Sequence, residues 1–259
     1  MQRIYLCRVI KRGPRQIVAF GGGGFSMEWG NTLLDDFVLG LTGAQRPKVC
    51  FLPTASGDAD HYVVRFYRAF AAERCEPSHV SLFRRETGVG DPRAHLLAQD
   101  VIYVGGGSLV SLLGTWRAHG LDQILRECWE DGVILCGGSA GALCWFEHAL
   151  SGFHEGPERL IPALGLLPWS CAVHYRAEQG RREAFLDAIG GGGLTPGYGA
   201  GDSAALHFVG AELAEVVSSR PDATAAFVAR GFDGAVTEQE LGVRYLGVSA
   251  VDDTAVLAA

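Results

Sequence analysis

The run Gly137-Gly138-Ser139-Ala140-Gly141 sets a serine between glycines two residues to either side, the spacing of a nucleophile on a sharp turn. The apolar run Val133-Ile134-Leu135-Cys136 before it reads as a buried strand, and the run from Ala140 to Phe146 reads as helix-forming. In a strand–turn–helix of this kind the small neighbours let the two elements approach while the hydroxyl projects clear. The same residues also suit two other jobs: Ser139 could cap the helix, or the turn could hold a phosphate. No Lys-Ser/Thr pair ends the turn and no G-x-G-x-x-G spacing is present, which counts against the phosphate.

A serine hydroxyl needs a base, usually histidine, held by a carboxylate. His174 is the best placed, because Leu166 to Val173 reads as a strand ending at His174, where open α/β sheets gather their sites. His148, His154 and His207 are the rivals. In the chain order serine, acid, histidine, the carboxylates available are Glu147, Glu155 and Glu158. Glu147 lies two turns along the expected helix and is too far. Glu155 is preferred over Glu158, and either can equally be an exposed loop charge. An oxyanion needs backbone N–H donors: Ala140 offers one, and Gly107 of the glycine turn Gly105-Gly106-Gly107-Ser108 offers another. The alternative use of that second turn is a helix cap at Ser108.

The elements that must carry these residues alternate. Strand-like runs at Gln16 to Phe20, Lys48 to Pro53, Ser78 to Leu82, Val101 to Val104 and Val133 to Cys136 are separated by amphipathic stretches such as Asp60 to Ala72 and Leu121 to Glu130. This is the pattern of βα units wound about a mostly parallel sheet, an α/β doubly wound fold with helices on both faces. The tail from Ala226 onward alternates like antiparallel strands, and Gly190 to Gly193 reads as a helix stop. No linker or repeat interrupts residues 1–259, so one catalytic domain is expected.

Acidic residues outnumber basic ones, 29 to 22, and the net charge is −7; with no basic run, nucleic acid is not an expected partner. The apolar runs are too short to span a bilayer, and residues 1–8 do not read as a signal peptide. A soluble, cytoplasmic protein is expected, with no membrane partner. Seven cysteines without a Cys-x-x-Cys pair suggest reduced core thiols, and neither metal nor cofactor is expected. Trp29, Trp116 and Trp145 could mark a homodimer surface or belong to the core.

Taken in order, Phe20-Gly21-Gly22-Gly23-Gly24, Phe51-Leu52-Pro53-Thr54-Ala55, Tyr103-Val104-Gly105-Gly106-Gly107, Gly138-Ser139-Ala140-Gly141-Ala142, Val173-His174-Tyr175 and Gly201-Asp202-Ser203-Ala204-Ala205-Leu206 resemble the peptidase E (aspartyl dipeptidase) family of serine peptidases. That family is related to cyanophycinase and to the class I glutamine-amidotransferase-like fold. The resemblance implies Ser139 as nucleophile, His174 as base, and the amides of Gly107 and Ala140 as oxyanion hole. It places an acid near His154 and Glu155, with Asp202 as the second choice. It also implies small peptide substrates of the dipeptide type with an N-terminal Asp, for which Arg176 is the candidate cation. Where the family usually has Asn after the third glycine this chain has Ser108, a shorter group for positioning substrate. A cyanophycinase-like or other acyl-transfer hydrolase, and a non-catalytic small-anion-binding module, remain open; Ser139 where an amidotransferase has Cys counts against the last acyl-transfer class.

Overall fold

The computed structural model describes residues 13–84, 88–152 and 158–247. In chain order it runs β1 (Gln16–Phe20), α1 (Leu33–Leu41), β2 (Lys48–Leu52), α2 (Asp60–Ala69), β3 (Glu76–His79), α3 (Pro92–Leu97) and β4 (Val101–Val104). Next come α4 (Leu109–His119), α5 (Leu121–Glu130), β5 (Ile134–Gly138), α6 (Ala140–Leu143), β6 (Phe146–Ser151), β7 (Arg159–Pro162) and β8 (Leu167–Val173). The remainder is α7 (Arg181–Gly190), β9 (Gly197–Ala200), β10 (Ala204–Val209), β11 (Glu212–Ser218), β12 (Ala225–Arg230), β13 (Val236–Glu240) and β14 (Val243–Tyr245).

These strands form two sheets. An eight-stranded sheet has the order β14-β11-β10-β1-β5-β4-β2-β3, and a six-stranded sheet the order β13-β12-β9-β8-β6-β7. In the first, β1, β5, β4, β2 and β3 run parallel while β10 is antiparallel to both β1 and β11. Strand alternation divides its apolar side chains between two layers. Ile17, Ala19, Cys50, Leu52, Ile102, Val104 and Leu135 pack with Leu112 and Trp116 of α4 and Leu125 of α5. Val18, Phe20, Val49, Phe51, Val101, Tyr103 and Cys136 pack with Leu34 and Val38 of α1 and Phe66 of α2. Helices therefore cover both faces of the large sheet, as the sequence pattern predicts. Side chains of the second sheet, among them Phe146, Leu167, Cys171 and Ala200, join the first of these layers.

An aromatic nest anchors the loop after β1. The Phe25 ring lies 5.0 to 5.8 Å from those of Phe51, Tyr62, Phe66, Phe70 and Tyr103, and burying such a ring contributes about 2 kcal/mol. That loop carries the glycines on which the site is built.

Two expectations need correction. The helix after Ser139 is a single turn: by Trp145 and Phe146, both fully buried, the chain has turned into β6, so Glu147 lies on a strand. Trp145 O takes the amides of Leu166 and Leu167, and the bulky pair fits the pleated core better than a continuing helix. In the tail, β12 and β13 do pair antiparallel, but β14 runs parallel to β11. Trp116 and Trp145 are core residues whose rings lie 6.1 Å apart and tilted to one another, which leaves Trp29, 72% exposed, at the surface. The six described cysteines are all buried. No described helix is long and apolar enough to cross a membrane.

Candidate active site

Ser139 joins β5 to α6 with φ 54° and ψ −120°, a conformation that costs an L-residue about 1–3 kcal/mol. Its glycine neighbours are required by the close approach of the two elements. A Cβ on Gly141 would stand 2.2 Å from the Val104 carbonyl oxygen, and one on Gly137 2.5 Å from that of Gly141. The Ser139 side chain does not cap α6, although its carbonyl accepts the amides of Ala142 and Leu143. From Val133 to Phe146 every residue but Ser139 is buried. The hydroxyl is thus left uncommitted at a point of backbone strain.

His174 directly follows β8 and also has a positive φ, 52°. Its Nδ1 lies 2.5 Å from Oδ1 of Asp202, which sits in the turn between β9 and β10. A carboxylate only accepts hydrogen bonds, so this contact assigns the proton to Nδ1 and leaves the Nε2 lone pair free to take another. Nε2 and Ser139 Oγ have no hydrogen-bond partner among the described residues. Apo sites often hold their catalytic contacts open and tighten around substrate.

One segment brings these residues to a common place. The Phe20 carbonyl accepts the Ser139 N–H at 3.3 Å, that of Gly21 accepts the His174 N–H at 3.0 Å, and that of Gly22 accepts the Ser203 N–H at 3.0 Å. Three successive carbonyls at the end of β1 therefore hold the serine, the histidine and the neighbour of the aspartate. Gly22 is pressed against the pair: a Cβ there would lie 2.2 Å from Asp202 Oδ1 and 3.1 Å from His174 Cε1. On the other side, a Cβ on Gly106 would meet Ser139 Cβ at 3.3 Å.

The second glycine turn lies beside the serine. Its amides are allotted: Gly105 N–H to Leu52 O, Gly106 N–H to the Tyr62 hydroxyl at 3.1 Å, and Ser108 N–H to Ala55 O. The N–H groups of Gly107 and Ala140 have no partner among the described residues. Gly107 has φ 140°, and a Cβ there would strike Ala55 O at 2.2 Å. Ser108 Oγ accepts the Ser111 N–H and caps α4, which is the structural use open to it from the sequence.

Of the remaining candidates, Glu155 and His154 lie outside the described residues. Glu158 accepts from Arg181 Nε at 3.0 Å, and Arg181, itself buried, also donates to Val173 O; this pair braces the end of β8. His148 lies 4.0 Å from Glu147. His207 is buried against Gln16 and Glu215, and that burial pushes its pKa down. Arg176 is half-exposed, 3.7 Å from Glu238. Glu238 is shared with Arg182, whose hydrogen bonds hold its carboxyl below the usual range. Among the described residues no three His, Cys, Asp or Glu side chains converge as a metal site. The carboxylate at His174 thus comes from beyond the histidine in the chain. It lies outside residues 139–174, and its sequence signal is the Gly201-Asp202-Ser203 turn after the glycine-rich strand Gly197-Tyr198-Gly199-Ala200.

Comparison with known proteins agrees with this architecture. Residues 17–216 match the model of "Peptidase family S51". The chain is 46% identical to the uncharacterized peptidase YgaJ of Bacillus subtilis over 233 residues, 90% of this chain and 100% of that protein. It is 30% identical to Peptidase E of Streptomyces coelicolor over 131 residues, about half of each chain (49% and 51%). A crystal structure of a peptidase from an acI-B1 Actinobacterium superposes with a TM-score of 0.66 at 19% identity, covering 90% of this chain and 96% of that one; it shares the fold. The chain belongs to peptidase family S51, and its class of activity is that of a peptidase.

Proposed function

We propose that this peptidase is a serine peptidase acting on short peptides through Ser139, His174 and Asp202. The observation that carries the reading is a strained serine with an uncommitted hydroxyl, held by the same strand end as a histidine whose Nδ1 meets a carboxylate. His174 Nε2 takes the Ser139 proton as Oγ attacks the scissile carbonyl carbon. The resulting oxyanion accepts from Gly107 N–H and Ala140 N–H. Collapse breaks the C–N bond, the proton on His174 leaves with the amine, and an acyl-enzyme remains. Water, deprotonated by the same nitrogen, then releases the acid.

The dipeptidase type and a preference for N-terminal Asp follow from the resemblance to peptidase E. Arg176, two residues beyond His174 and half-exposed, is the cation we assign to such a side chain; its neighbour Glu238 already answers Arg182. A panel of dipeptides and tripeptides varied at the first residue tests this. Selective cleavage after Asp that weakens in Arg176→Ala supports the assignment, and equal cleavage of all peptides overturns it.

Ser139→Ala should abolish turnover, a loss of about 10⁶-fold, with the thermal midpoint preserved. A fluorophosphonate should label Ser139 in the parent and not in that variant. If Ser139→Ala hydrolyses peptides at the parent rate, the reading fails. Absence of labelling together with stabilisation by phosphate would instead favour an anion-binding module.

A further inference from the structure

We infer that Glu28, on the loop after β1, is a positioning residue that holds the Asp202 turn against His174; the inference rests on the serine-peptidase reading above. Glu28 is 8% exposed, although it carries a charge. Its Oε1 accepts from Ser203 Oγ at 3.0 Å and from Arg220 Nε at 2.7 Å, and its Oε2 accepts from Ser219 Oγ. A buried carboxylate is costly unless so satisfied, and here all three donors belong to the turn beside Asp202 or to the segment that follows β11.

The contacts converge on Ser203. This residue has φ 63°, a left-handed backbone that no glycine relieves. Its N–H goes to Gly22 O, its carbonyl accepts the Ser219 N–H at 3.0 Å, and its hydroxyl goes to Glu28. Every polar group of Ser203 is thereby pinned, and Asp202 is its immediate neighbour. Asp202 itself is 40% exposed on its side chain and bonds to His174 alone among the described residues. Its aim depends on the turn beneath it. Ser219 is tied in turn through its carbonyl to Asn31 Nδ2, so the loop from Gly21 to Asn31 grips the turn from two sides. The charged groups nearby are Asp202, Glu28, Arg220 and Asp222, which line one hollow of about 350 Å³.

The test uses the rate at which diisopropyl fluorophosphate modifies Ser139, followed against pH, because this reads the activation of the serine without a known peptide. Glu28→Ala is expected to slow labelling about 10²-fold, the size of a misplacement on the order of 1 Å. Glu28→Gln removes the charge but keeps the Oε1 acceptor for Ser203 and Arg220, while its NH2 can donate to a Ser219 hydroxyl turned to accept, and it should recover most of the rate. In an Asp202→Ala background, adding Glu28→Ala should change nothing further. If Glu28→Ala does not fold, as judged by its thermal midpoint and near-ultraviolet dichroism, Ser203→Ala carries the test with a smaller slowing that likewise vanishes in Asp202→Ala. Parent-like labelling of Glu28→Ala or Ser203→Ala, equal losses in the Gln and Ala variants, or additive losses with Asp202→Ala would each overturn the inference. If Asp202→Ala itself labels at the parent rate, the aspartate is not the acid, and that failure belongs to the reading of the triad.

Discussion

The serine and the histidine are presented by turns of opposite character. Ser139 leaves the middle of the large sheet, with β5 flanked by β1 and β4 and main-chain atoms within contact of Gly137 and Gly141. His174 leaves β8 of the second sheet, and Asp202 lies where the chain crosses from β9 in the second sheet to β10 in the first. The serine is fixed by local packing, whereas the histidine and the aspartate are fixed by a seam between two sheets. Filling the tightly packed glycines that flank the first turn should therefore register in stability, and damage to the second turn mainly in rate.

Among changes that test this contrast, the largest effect expected is at the seam. Asp202→Asn should lower kcat about 10⁴-fold near neutral pH, because an amide can present a donor to Nδ1 and so select the wrong tautomer. Steady-state kinetics beside an unchanged thermal midpoint would bear this out, and a matching loss of stability would erase the contrast. A methyl group placed in each turn sharpens it. Gly141→Ala drives a Cβ into the Val104 carbonyl and should destabilise the fold by about 3 kcal/mol, measured by urea unfolding. Gly22→Ala meets the movable end of the Asp202 side chain and should instead slow turnover about 10²-fold with a smaller change in unfolding. Were the two outcomes exchanged, the division between packing and seam would be wrong.

A last effect, read in stability alone, concerns the loop both turns share. Asp35 of α1 lies under Gly24, where an added Cβ would fall 3.1 Å from its Oδ1. Burial pushes its pKa from 3.8 up to about 7, against the pull of Arg74. A carboxyl whose folded pKa is raised stabilises the fold below its unfolded pKa, and that contribution is lost as pH climbs through about 7. Stability of the parent relative to Asp35→Asn should accordingly decline between pH 4 and 8 in urea titrations. A constant difference across that window would mean that Asp35 stays charged in the fold.

What the sequence disclosed follows the same division. The strands Gln16–Phe20 and Val101–Val104 and the helix Leu121–Glu130 stand at the residues expected, because each buries a continuous or periodic apolar set. The Ser139 turn was legible since everything it needs lies within five residues. His174 could be reached through the strand before it. Asp202 could not be reached by spacing, because its approach to His174 depends on the second sheet docking at the end of β1, a contact that no local pattern encodes. Glu28 left no signal for a related reason: its partners Ser203, Ser219 and Arg220 lie some 175 to 192 positions away. The one-turn α6 was misjudged because Ala, Leu and Cys suit a helix while Trp145 and Phe146 answer to the core.

The carbonyls of Phe20, Gly21 and Gly22 have one more consequence. Because one short stretch of backbone accepts the amides of Ser139, His174 and Ser203, slow drift of either sheet carries the serine, the histidine and the aspartate turn together. Such a site tolerates wide divergence at its periphery but not a change of length at its origin. One residue inserted between Phe20 and Gly23 would reassign every one of those carbonyls at once, and no compensating substitution elsewhere could restore the alignment.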